Sequence, residues 1–210
     1  MFKDSEYNRK TRHHFPNGIQ KEFNVKNALI LCCALIVSPI VATAQDYKVD
    51  QQASSVSFAG NHAGTDFVGL FGEWSATVSF DADNLAESKL SAEFGLSSAE
   101  TGNAMYDGTL PAGDWFDTKN TPMGTYQSTE LSRISDHTFH AVGELTLRGF
   151  TIPVEFDFVL SGLGGETVQA KANFPLLRLD LNIGRNSDEI AEWVTNEIGI
   201  EINLVATLTN

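Results

Sequence analysis

Few residues in this 210-residue chain are of a type and spacing that could do chemistry. His137 and His140 stand three apart in an alternating, strand-like stretch, which sends their rings to opposite faces and denies both to a single metal. "DADN" at 81–84 opens like a calcium loop but lacks the glycine and the distal glutamate such a loop needs, so it reads as a solvated turn. Asp114 and Asp117 could share a helical face, yet the aromatic pair between them, Trp115 and Phe116, is what distinguishes that stretch. No P-loop, nucleophile elbow, HExxH or CxxCH motif occurs. The expectation is a binding protein and not an enzyme, with no catalytic residue, no metal and no cofactor. His62, just past the first strand pattern, is left as a polar contact for a cavity mouth.

Such a binder needs elements that build a wall, and the hydrophobic pattern supplies them. In "GELTLRGFTIPVEFDFVL" (143–160), Leu145 and Leu147 take one face, and Phe150, Ile152, Val154, Phe156, Phe158 and Leu160 continue it. Glu144, Thr146, Thr151, Pro153, Glu155 and Asp157 take the other. Alternation broken only by Arg148-Gly149 marks a two-residue hairpin, with glycine supplying a positive φ. The same period recurs in "SSVSF", "EWSATVSF", "KLSAEFGL", "HTFHAVGELTL", "ETVQAKANF" and "EIGIEINLVATL", and less clearly in "TYQSTEL".

Eight strands, each apolar on one face and joined mostly by short polar turns, predict an all-β fold. An eight-stranded antiparallel barrel closes such a sheet with every apolar face inward; a two-sheet sandwich would fit the same pattern. Two segments interrupt the meander. Residues 97–124 lack alternation but carry Met105, Tyr106, Leu110, Trp115, Phe116 and Met123, and read as short helical turns packed across one mouth. "SDEIAEWVTNE" offers Ser187 as an N-cap with Asp188 and Glu189 behind it, predicting a second short helix before the last strand.

The first 44 residues read as a signal peptide, with the barrel domain over 45–210. "NALILCCALIVSPIVATA" is uncharged after Lys26, broken at Pro39, and ends in a small-x-small triplet, Ala42-Thr43-Ala44. Residues 1–26 are long for a signal's charged region, and a start at Val25 would give ordinary proportions, which points to initiation downstream of Met1. Cys32 and Cys33 are the chain's two cysteines, so the processed protein would have no thiol, disulfide or thiolate metal site. Six of the 14 Lys+Arg and three of the 27 Asp+Glu lie in residues 1–44, so residues 45–210 carry 8 against 24, a net charge of −16. That balance argues against nucleic acid and anionic membrane surfaces as partners.

Taken in order, several stretches resemble the YceI-like family, lipocalin-like periplasmic barrels associated with polyisoprenoid binding. The strongest are "GDWFDTKNTPMGTYQST" and "GELTLRGFTIPV"; "YKVDQQASSVSFAGNHAG", "VGLFGEW", "SAETGN" and Arg178-x-Asp180 support them, and together they cover residues 46–209. "RLDLNIGR" departs from the family pattern by delaying its glycine to Gly184, and Trp193 adds an aromatic the family does not fix. The resemblance implies a barrel holding a long apolar ligand, and implies no catalysis.

Candidate ligand-binding residues follow from the inward faces and the resemblance. Phe58, Phe80, Phe94, Phe150, Phe156 and Phe174, with Leu147, would line the wall. Trp115 and Phe116 would lie across a mouth, and His62, Tyr126 and Arg178 would supply polar contacts there. Ala76, Ala92, Ala141, Gly143, Ala170, Ala172 and Ala206 alternate with the rings and leave room beside them. The function so read is a periplasmic carrier, store or sequestering protein for an isoprenoid-type lipid, not inserted in the membrane after processing, with a homodimer left open. The rival readings are a quinone-handling accessory of a membrane cytochrome, a fatty-acid-type lipid binder, or a solid barrel acting through its acidic surface. For the leader, the intact mass of exported protein should correspond to a chain beginning at Gln45; a mass that retains Cys32 would overturn both the cleavage site and the thiol-free reading.

Overall fold

The computed structural model describes residues 44–209; the leader and its cleavage site lie outside the described residues. Eleven strand segments make up the described chain: β1 (Gln45–Val49), β2 (Ser55–His62), β3 (Thr65–Phe71), β4 (Trp74–Phe80), β5 (Lys89–Gly95), β6 (Ala99–Glu100), β7 (Met123–Arg133), β8 (Thr138–Leu147), β9 (Phe150–Ser161), β10 (Thr167–Leu177) and β11 (Glu197–Leu208). They form eight staves, because three staves are broken in the middle. β1 pairs with β4 while β2 pairs with β3, and β5 pairs with β4 while β6 pairs with β3. At the breaks, side chains take over the backbone's hydrogen bonds. Asp50 accepts from the N–H groups of Gln52 and Ala53, Ser54 Oγ accepts from Val205 N–H, and Ser98 Oγ accepts from Glu73 N–H.

The sheet closes antiparallel through β11. One flank of β11 pairs with β10 along its length, and the other pairs with β2 through residues 199–203 and with β1 through 206–208. The closed eight-stave barrel agrees with the strand count and faces read from the sequence. Along β8 and β9, Phe139, Ala141, Leu145, Leu147, Val154, Phe158 and Leu160 are buried while Glu144, Glu155 and Asp157 are exposed. The turn between them holds Arg148 at φ 53° and Gly149 at φ 78°, the paired positive angles of a type I′ hairpin.

Two expectations fail. Phe150 keeps the inward side of β9 opposite Leu147, but it is the first residue of the strand, at the rim, and remains 41% exposed. It is not part of the enclosed wall. The helix expected after Ser187 does not form, and residues 182–196 run as turns. Asp188 spends its carboxylate on the N–H groups of Glu192, Trp193 and Val194 and on Arg178, and Ala191 sits at φ 55°, so no helical ladder can continue.

The long connection 97–124 contains β6 and the first residues of β7, and between them it folds as short turns around one α-helix, α1 (Ala104–Thr109), capped by Asn103 Oδ1 accepting from Met105 N–H at 3.0 Å. It delivers Phe116 to the core, edge-on to Phe58 with ring centroids 6.5 Å apart. The hairpin reading has a direct check. A Cβ on Gly149 would meet only Thr121 Cγ2, at 3.8 Å, so Gly149→Val tests the backbone angle alone. It should lower the unfolding free energy by about 1–2 kcal/mol, read from the denaturant midpoint; an unmoved midpoint would mean the turn does not need a left-handed residue.

Candidate functional site

Inside the barrel the inward faces do not meet. Four cavities of about 110, 90, 100 and 140 Å³ follow one another, each sharing a wall with the next. Their order can be read along β11: Ala206, Leu204 and Ile202 line the first, Ile202 and Ile200 the second, Ile200 and Ile198 the third. Val194, just before that strand, lines the third and the fourth. β11 has 12 residues, which at ~3.3 Å each and a tilt of about 40° makes a lumen roughly 30 Å long. Tyr47 and Leu163 line the cavity at one end of the row, and residues of α1 line the cavity at the other.

The first three cavities are walled almost wholly by hydrocarbon. Phe94, Tyr126 and Phe156 form the partition between the first two, and Phe156 stacks on Phe174 at 4.5 Å and 10°. Beside these rings stand Ala76, Ala92, Ala170 and Ala172, whose small side chains leave space. Phe80 lines the first cavity, Phe174 the second, Leu147 the second and third, and Phe58, Phe116 and Arg178 the third. Trp115 joins the third to the fourth, and His62 lines the fourth. Eleven of the twelve sequence-derived candidates therefore line this row of adjoining cavities, and Phe150 does not.

The polar candidates are distributed differently from the expectation. Tyr126 lies at mid-lumen, not at the mouth, because its ring packs on Phe156 (5.6 Å) and its hydroxyl turns toward Gly143. A Cβ at 143 would come within 2.6 Å of that hydroxyl, so the glycine is what admits the tyrosine. The hydroxyl has no hydrogen-bond partner among the described residues, and burial pushes its pKa up to about 12, leaving a neutral donor in an apolar wall.

Arg178 is 3% exposed and its donors are spent inside the protein. They go to Asp188 Oδ2 at 2.6 Å, Ile183 O at 2.7 Å, Val194 O at 2.8 Å and Thr195 O at 3.1 Å, with the guanidinium 5.8 Å from the Trp115 ring. Arg178 thus fastens the wall and offers no free charge at the mouth. Burial would raise the Asp188 carboxyl, but the N–H groups of Val194, Trp193 and Glu192 and the Arg178 charge outweigh it and hold the pKa below the usual range.

Sequence reasoning missed Tyr106 and Met105 as lining residues of the outer chamber, although it placed their segment across a mouth. They sit in a stretch without periodicity, so only the fold shows which way they face. Among the described residues no group of three or more His, Cys, Asp or Glu could hold a metal.

The barrel fold is shared with known proteins. The YceI-like domain model matches residues 47–206, and the chain belongs to that family. It is 32% identical to protein YceI of Escherichia coli O157:H7 over 176 residues, 80% of this chain and 92% of that protein. A UPF0312 protein of Pseudomonas savastanoi is 34% identical over 140 residues, 65% and 72% of the two chains. Among solved structures, BcnA of Burkholderia cenocepacia superposes with a TM-score of 0.72 at 27% identity, over 76% of this chain and all of BcnA. A polyisoprenoid-binding domain from Saccharophagus degradans shares the fold, with a TM-score of 0.63 at 14% identity over 79% and 99% of the chains.

The Arg178–Asp188 pair yields a stability prediction. Asp188→Ala leaves a buried guanidinium unpaired and should cost about 3–5 kcal/mol in chemical unfolding. Because the folded carboxyl pKa is depressed, Asp188 stabilises fully above the ordinary carboxyl value of about 4, and the contribution fades as pH falls through the folded value. Asp188→Asn should therefore remove part of the stability loss seen below about pH 4; an unchanged acid limb would show that the pair does not set it.

Proposed function

We propose that this chain is an exported, periplasmic binding protein that holds a long apolar lipid of the isoprenoid type in its barrel, for transport, storage or sequestration. One observation carries the reading: four adjoining cavities stand in a row along β11, and the first three are lined almost wholly by apolar groups. A chain-like hydrocarbon fits that shape, and each buried CH₂ would contribute roughly 0.8 kcal/mol. The shared fold of the Saccharophagus degradans domain, which is described as polyisoprenoid binding, supports the same class of ligand. The apolar run before Gln45 supports export.

Filling the lumen tests the reading. Ala92 lines the first and second cavities and pairs with Ala76 and Tyr126 across the neighbouring strands. Ala92→Phe should abolish lipid recovered by organic extraction and mass spectrometry while keeping a cooperative melt, because empty volume absorbs a ring that a close-packed core would not. Ala170→Phe, in the first cavity, should act alike. A parent protein whose extract is empty, together with variants that melt far lower, would overturn the proposal.

A further inference from the structure

The lumen is chemically lopsided, and the lopsidedness identifies the ligand's head. The three inner cavities offer hydrocarbon and ring faces, whereas the outer chamber is lined by His62, Tyr106, Thr101 and Thr109 beside Phe67 and Trp115. We propose that this chamber seats an uncharged hydrogen-bonding head, a hydroxyl or a carbonyl, with the apolar tail running inward toward Leu163, and that it rejects phosphorylated heads. The inference rests on the lipid-binding reading and adds the head-group class and orientation.

Hydrogen-bond capacity comes first. His62 Nδ1 and Tyr106 OH lie 3.0 Å apart and satisfy each other, with rings edge-on at 5.2 Å. The other imidazole nitrogen, Nε2, makes no hydrogen bond to the described residues, so the pair retains capacity in either tautomer. Thr109 Oγ1 already donates to Met105 O, and Thr101 Oγ1 to Asp107. The threonines have no donor left and can only accept, so the His62–Tyr106 pair is what can donate to the oxygen of a ligand's hydroxyl or carbonyl. The ring faces of Phe67 and Trp115 beside it suit a neutral or planar group.

Charge excludes the alternative. A phosphate or diphosphate needs a free cation or a set of unspent N–H donors. No Lys or Arg lines the chamber. Arg178, in the adjoining cavity, is paired with the Asp188 carboxylate and bonded to four backbone carbonyls besides. Thr101 instead backs onto the Asp107 carboxylate, which accepts from both its N–H (2.6 Å) and its hydroxyl (2.7 Å). An anionic head would meet a carboxylate behind the wall and a net charge of −16 over residues 45–210.

The test compares farnesol, farnesyl diphosphate and the head-less hydrocarbon farnesane as competitors of a fluorescent apolar probe, N-phenyl-1-naphthylamine, on the processed protein. Farnesol should bind at least tenfold more tightly than the diphosphate. Tyr106→Phe and His62→Gln, each checked by its melt, should weaken farnesol several-fold and leave farnesane unchanged. Diphosphate binding equal to or tighter than farnesol would overturn the head-group assignment while sparing the barrel reading. So would variants that leave farnesol unaffected or weaken farnesol and farnesane alike. Failure of all three ligands to displace the probe would instead overturn the lipid-binding reading itself.

Discussion

Everything in this protein depends on β11 finding partners on both flanks. Its pairing with β10 is continuous, but its other flank is shared between β1 and β2, with Ser54 and Asp50 bridging the junction through Val205. That closure removes the sheet edges and commits every second residue of eight staves to one enclosed space. A sheet left open would present the same residues as a wide apolar face needing another layer to cover it. The acidic exterior follows from the same constraint, because the alternate residues have only water to face.

Closure also explains why the interior is hollow. In a helical bundle, replacing large residues by alanine lets neighbours move in and shrink the gap. A hydrogen-bonded barrel cannot shrink that way, since its radius is set by strand number and stagger. Ala76, Ala92, Ala170 and Ala172 therefore leave space where they face the lumen, beside the Phe156–Phe174 stack. Where large rings meet, as in the cluster of Phe80, Phe139 and Phe158 with centroids 5.1–6.2 Å apart, they fill the space among themselves, and only the outer sides of Phe80 and Phe158 border the first cavity. Cavity and core alternate according to side-chain size on a scaffold that does not adjust.

The strands and their faces were legible because a two-residue period with one wet side leaves a plain trace in the sequence, and glycine at 149 marked the hairpin. What escaped was decided by distant partners. Nothing local to "SDEIAEWVTNE" shows that Asp188 will be claimed by Arg178 ten residues earlier, so a sound N-cap pattern pointed to a helix that tertiary bonds pre-empt. The same pairing turned Arg178 from an apparent mouth contact into a buried fastener. Phe150 had the right parity, but parity does not reveal where a stave rises past its neighbours. Tyr126 was recognised as a lining residue, while its depth depended on the space left by Gly143 on the next strand. The three broken staves were invisible for a similar reason: their interruptions are healed by side-chain hydrogen bonds across the sheet.

Among the described residues, which contain no cysteine, ionic and hydrogen-bonded clasps hold the covered end of the barrel. Asp114, in the connection after α1, accepts from Asn186 N–H and from both the N–H and the hydroxyl of Ser187. Arg148, in the hairpin turn, reaches Gly113 O and Asn182 O. These contacts tie three loops together at positions that are partly exposed, where local opening costs less than parting a wall. Parting β10 from β11 would break a ladder of 11 register pairs at once. The ladder between β9 and β10 has four register pairs, so the walls differ in strength, and exchange of anything held in the lumen would use the weakest seam or an end. At the covered end it must loosen contacts that converge on Trp115, which Arg178 backs with its buried charge. The strength of that clasp then governs two quantities together: the stability of the covered end, and the time an occupant spends inside.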